Sequence, residues 1–208
     1  MLYGAGSILG AQWIVTAKSV IMSLESKATV KKFVIYPKYE KNLKKMLAKK
    51  PKSYSSEKLF CSPKEDSDWS TSQSDLALVK ISEAIPLNDK FQAIKIGHFT
   101  SRYTDIRVAG WGLSDKSDPS TSMNNLMYGD MSIFSTGCYP KCKVMTRYGG
   151  LWKNNVCHGD NGGPAVLKGD KKPDELVGIV TGFDSGCSWI TEVMQKEPDK
   201  FRCEIHPE

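Results

Sequence analysis

Eight short runs rich in Val, Ile, Leu and Thr recur along the chain, and they constrain its fold more than any other feature. They are Ser7–Leu9, Gln12–Thr16, Val30–Ile35, Leu76–Ile81, Ala93–Ile96, Ile106–Ala109, Met131–Phe134 and Val177–Thr181. Most are bounded by Gly, Pro, Asn, Asp or Ser, the punctuation of strands and turns. Helical periodicity is weak: Lys41–Lys50 is long enough for a short helix but presents no clear apolar face. Many short strands with frequent turns predict an all-β sandwich or barrel. The 208 residues are 40% hydrophobic and 25% charged, enough to bury such a core and unlike a disordered or low-complexity chain. No apolar run reaches the length of a membrane-spanning helix. The Ser/Thr-rich stretch Ser114–Asn125 reads as an exposed loop, and no internal repeat is found.

Charge is unevenly placed. The net charge is +6, yet eleven lysines fall between Lys27 and Lys58 against only Glu40 and Glu57. A stripe that includes Lys31, Lys32, Lys44, Lys45, Lys49 and Lys50 can attract polyanions such as heparin, although Lys-guarded strands and loops look the same in a sequence. Aromatic interleaving suited to base stacking is sparse (Tyr36, Tyr39, Tyr54), so no nucleic-acid partner is expected. The six cysteines do not form paired CxxC knuckles, and the three histidines have no ligand spacing. Disulfides in an oxidising, extracellular compartment are the expectation, with no metal and no cofactor. Met1–Gly6 lacks a basic segment followed by an apolar one, so a secreted protein would carry its targeting segment outside this sequence.

The most specific stretch is Gly159-Asp160-Asn161-Gly162-Gly163-Pro164, preceded by Cys157-His158. It resembles the Gly-Asp-Ser-Gly-Gly-Pro signature of chymotrypsin- and trypsin-like serine proteases. Other segments match that family in order. Gly6-Ser7-Ile8-Leu9 with Gln12–Ala17 resembles the run leading to the catalytic His, and Ser74–Lys80 resembles the strand holding the catalytic Asp. Val108-Ala109-Gly110-Trp111-Gly112 resembles the Gly-Trp-Gly turn opening the second barrel, and Gly178–Thr181 with Gly186-Cys187 resembles the substrate-binding strand. The resemblance implies two packed antiparallel six-stranded-type β-barrels, residues 1–100 and 101–208, meeting near Thr100. Against the family, the first strand is expected to be shortened, and so is the C-terminal helix beginning near Glu204.

The departures from the family concern its chemistry. Acyl transfer by serine needs a hydroxyl, an imidazole that takes its proton and a carboxylate that orients the imidazole. The resemblance puts Asn161 at the nucleophile position and Ser19 at the imidazole position, leaving only Asp75 in place. An amide is no nucleophile toward a peptide carbonyl, and loss of one triad member typically costs on the order of 10⁴–10⁶ in turnover. His158, His98 and His206 offer no replacement base at suitable positions. The former specificity pocket is altered as well. Asn155 stands at the floor where a trypsin-like enzyme has Asp, Asp199 replaces a pocket-lining Gly, and Phe183-Asp184 replaces a Trp-Gly pair. Gly159 and Asp160 keep the oxyanion turn as a remnant. In active members an ammonium group from a processed N-terminus pairs with the carboxylate at the Asp160 position; if nothing replaces it, Asp160 is expected to be unpaired.

By the same resemblance, Cys157 pairs with Cys187 beside the pocket, and Cys138 matches the first cysteine of a second bridge, with Cys142 its nearest candidate partner. Cys61 lies in a loop read as Ser55–Ser74, about ten residues longer than typical, which a bridge to Cys203 or Cys142 would pin. Trp69 in that loop is read as packed. Gly4 and Val20 occupy the positions of the cysteine pair that brackets the family's catalytic His. This pattern of losses is most similar to the scabies-mite inactivated serine protease paralogues, relatives of the group 3 mite allergen proteases. That resemblance implies a secreted gut protein that binds host complement components and inhibits complement. Two alternatives are a cationic heparin- or bacterial-surface-binding homologue, like the inactive azurophil-granule member of the family, and a cofactor in an arthropod protease cascade.

Overall fold

The computed structural model describes residues 4–21, 34–35, 45, 48–50, 52–61, 76–97, 105–111, 126–138, 142–147, 160–167 and 174–180. Eleven strands lie within them: β1 (Ser7–Gly10), β2 (Trp13–Ala17), β3 (Val34–Ile35), β4 (Tyr54–Cys61), β5 (Leu76–Ile81), β6 (Lys95–Ile96), β7 (Asp105–Gly110), β8 (Met127–Cys138), β9 (Cys142–Arg147), β10 (Pro164–Leu167) and β11 (Glu175–Ile179). A one-turn helix, α1 (Lys18–Ile21), continues directly from β2. Lys45 and Ala48 are also helical, within the stretch read as a short helix.

The strands form two sheets. The first has five strands in the order β1-β2-β5-β4-β3, and the second has six in the order β6-β11-β10-β7-β8-β9. All pairings are antiparallel except β6 with β11. The chain passes from the first sheet to the second between Ile81 and Lys95, and Thr100 lies outside the described residues. The all-β expectation holds: the described chain is mostly strand, with little helix.

Burial explains why β5 is the clearest strand in the sequence. Its Leu76 and Leu78 face one apolar cluster, whereas Ala77, Val79 and Ile81 face another, so both parities are apolar. The first cluster joins Val15, Ala17, Phe60, Leu76 and Leu78 of the five-stranded sheet to Leu176 and Ile179 of the six-stranded one. The second fills the interior of the five-stranded sheet around Ile14, Tyr54, Val79 and Ile81. A third, around Ile106, Val108, Ala165 and Val177, belongs to the six-stranded sheet alone. The described residues thus pack as two sheet interiors with a shared core between them.

Strand β4 corrects the long-loop reading of Ser55–Ser74, because Ser55–Cys61 runs as a strand between β3 and β5. Its Ser-Ser-Glu-Lys middle looks like loop, but Phe60 and Cys61 are buried and Glu57 forms an ion pair with Lys80 of β5. On the exposed side of the second sheet, Arg107 faces Asp130 in register and donates two hydrogen bonds to its carboxylate at 2.6 and 2.7 Å. That pairing raises the Arg107 pKa, and the guanidinium also stacks 4.5 Å from the Tyr128 ring centre.

Candidate functional site

Residues 160–163 form a tight turn that leads into β10. The Gly163 N–H donates to the Asp160 carbonyl at 2.9 Å, closing it. Two neighbouring segments hold it from outside. The Ala5 N–H donates to the Asn161 carbonyl at 2.8 Å, and the Gly162 N–H donates to the Val180 carbonyl at 3.0 Å. Val180 in turn donates its N–H to the Gly163 carbonyl at 2.8 Å. Four main-chain hydrogen bonds therefore fix the turn and tie it to both neighbouring segments.

Gly162 has a φ of +79°, the left-handed region that a side chain disfavours. A Cβ there would collide with the Thr16 hydroxyl and the Ala5 carbonyl and lie 3.0 Å from the Ala17 nitrogen. Thr16 is itself buried, and its hydroxyl donates to the Ala5 carbonyl at 2.7 Å. The end of β2 therefore packs directly on the turn that carries Asn161. Gly4 sits between the turn and α1: a Cβ on it would be 2.5 Å from a Val20 methyl and 2.6 Å from the Asn161 carbonyl oxygen. Ser19 on α1 and Asn161 on the turn thus lie on segments that meet across Gly4.

Asp160 is 9% exposed, and its carboxylate packs against Gly110, where a Cβ would lie 2.8 Å from its Cγ. Asp160 is not without a partner in the structure. Among the described residues, the buried indole N–H of the neighbouring Trp111 and the buried Ser7 hydroxyl find no hydrogen-bond partner. Asp75, Asn155, Cys157, Gly159, Phe183, Asp184, Cys187, Cys203 and Asp199 lie outside the described residues, as do Trp69, Lys31, Lys32 and Lys44.

The chain matches the trypsin family over residues 2–196. It belongs to that family. The rat protein "Transmembrane protease serine 11G" is 27% identical over 128 residues, covering 54% of this chain and 30% of the relative, so this trypsin-family chain spans under a third of that protein. Among solved structures, mouse neuropsin, a serine protease, superposes with a TM-score of 0.68 at 18% identity, covering 94% of this chain and 90% of the other. A mutant of human heparin-binding protein gives 0.69 at 18% identity, over 93% and 87%. At that identity the two structures establish a trypsin-like fold. Among the described residues no helix is long and apolar enough to cross a membrane.

Within the trypsin-family fold, sequence reasoning missed Thr16, Ala5 and Val180 as supports of the turn. Their one visible signal is a Thr at an otherwise apolar position in Trp13–Ala17. The cysteines divide. Cys61 is buried and disulfide-bonded, in keeping with an anchored β4. Cys138 and Cys142 are directly opposed across the β8–β9 ladder, and facing positions of an antiparallel pair lie within disulfide reach at the backbone.

Contact between Gly4 and Val20 carries a prediction. In a disulfide each Cβ lies about 3 Å from the far sulfur, and the Gly4 Cβ direction meets Val20 methyls at 2.5 and 3.0 Å. The Gly4→Cys/Val20→Cys chain should therefore close a bridge on oxidation and melt higher oxidised than reduced. The gain should stay below the roughly 3 kcal/mol that such a loop allows, because the new Cβ must also push back the Asn161 carbonyl. Thiol titration and paired melts check this, and two thiols that stay free after oxidation would refute the contact.

Proposed function

We propose that this trypsin-family protein is proteolytically inactive and acts by binding, as a secreted protein that engages host complement components and inhibits complement. The observation that carries the inactive reading is Asn161. The family resemblance puts it at the nucleophile position, on a turn held by four main-chain hydrogen bonds, and puts Ser19 of α1 at the imidazole position. A turn built to hold a reactive hydroxyl then presents an amide, which no neighbouring base can turn into a nucleophile. The complement reading rests on the resemblance of this pattern of losses to the mite paralogues.

A specific observation favours a second reading, binding to polyanions. Lys45, Lys49 and Lys50 are exposed in the lysine-rich stretch, and one structural neighbour is a heparin-binding protein. Lys52 of the same stretch is committed to Glu83, whose carboxylate hydrogen bond raises its pKa.

Incubation with a fluorophosphonate serine probe tests the first claim. No covalent label is expected, and labelling abolished by heat would overturn it. A serum pull-down with the folded protein, followed by an assay of each complement pathway, tests the second. Recovery of no complement protein together with no inhibition sinks it, and binding to heparin that collapses with added salt would put the polyanion reading in its place.

A further inference from the structure

Asn161 is followed by Gly162, and of the seven asparagines in the chain it alone precedes a glycine. Asn-Gly is the dipeptide most prone to cyclise, because glycine offers no side chain to hinder attack. In that reaction the Gly162 main-chain nitrogen loses its proton and attacks the Asn161 Cγ. The Cγ–Nδ2 bond breaks and ammonia leaves with the proton, giving a succinimide. Water then opens the ring at either carbonyl, yielding aspartate or isoaspartate.

The fold obstructs each requirement of that attack. The attacking nitrogen must be free, yet the Gly162 N–H is given to the Val180 carbonyl at 3.0 Å. The Asn161 peptide must rotate, yet its carbonyl is held by the Ala5 N–H at 2.8 Å, with the Asp160–Gly163 bond closing the turn at 2.9 Å. Gly162 is wedged at φ +79° against Thr16 and Ala5, which leaves no slack for ring closure.

We propose that Asn161–Gly162 is a covalent modification site held in reserve: a deamidation site that docking of Gly4–Gly6 keeps shut and that local opening of this segment exposes. The change is one-way. Isoaspartate routes the main chain through Cβ and lengthens the turn by one bond, so the paired donors Ala5 and Gly162 no longer reach their acceptors together. Aspartate places a new negative charge beside the Asp160 position. Neither outcome depends on what the protein binds.

The test incubates the full chain at mildly alkaline pH, native and in concentrated urea, and follows the peptide carrying residue 161 by mass spectrometry. In urea, Asn161 should convert before Asn154 and Asn155, which serve as internal clocks. In the native chain its conversion should be slower by about tenfold or more, and it should accelerate in urea well below the global unfolding midpoint, as local opening requires. Ala5→Pro, which removes the donor to Asn161, should raise the native rate toward the unfolded one. Equal native and unfolded rates overturn the proposal. So does a native rate that rises only with global unfolding, a measurement on the parent chain that stands even if the proline variant does not fold.

Discussion

Gly162→Ala should lower the thermal midpoint by about 6–12 °C, the shift expected for roughly 3 kcal/mol lost from a chain of this size. Two independent costs add. The left-handed backbone at φ +79° penalises any L side chain by about 1–2 kcal/mol. The new methyl also enters space already filled by the Thr16 hydroxyl, the Ala5 carbonyl and the Ala17 nitrogen, and overpacking of this kind costs about 1–3 kcal/mol. Two of those neighbours are main chain and cannot swing aside. Relief must come from displacing the Gly4–Gly6 segment or the turn, which breaks the Ala5–Asn161 or Gly162–Val180 hydrogen bond. Circular-dichroism melts of parent and variant decide the matter, and a midpoint within about 2 °C of the parent would show that the turn is not held this tightly.

The sequence reveals a local feature where a strand or turn is determined by its own residues, and hides it where distant residues decide. Strand β5 is legible to the residue because both its faces are buried, so that nearly every position is apolar. Strands β4 and β10 are not. The first has a polar centre supported by an ion pair and neighbouring strands, and the second opens directly on a Gly-Gly-Pro turn that reads as punctuation. At the site, the run Gly159–Pro164 exposes the turn, and the resemblance directs attention to Gly4 and Val20. The clamp on that turn comes from Ala5, Thr16 and Val180, three residues with ordinary local roles whose joint position exists only after both sheets have formed.

Phe60→Ala should be the most damaging core truncation, at about 3–5 kcal/mol. Phe60 is fully buried, and its ring centre lies 5.7 Å from that of Trp13 at a 38° tilt. The cluster around it draws on β2, β4 and β5 of one sheet and on Leu176 and Ile179 of the other. A cavity there weakens the joint between the sheets, whereas Ile106→Ala in the third cluster injures one sheet alone. The discriminating measurement is therefore the coupling. Phe60→Ala and Leu176→Ala should be non-additive by about 0.5 kcal/mol or more in denaturant unfolding, while Phe60→Ala and Ile106→Ala should add. Additivity in the first pair would mean that the sheets do not share a core. Coupling there reaches the turn through short paths, because β2 ends in Thr16 and Ala17 against Gly162, and β11 leads directly into the Val180 carbonyl that holds its N–H. Loosening the shared core should thus loosen the turn at both anchors, and the Asn161 conversion rate in folded Phe60→Ala protein should rise above the parent's before the chain has globally unfolded.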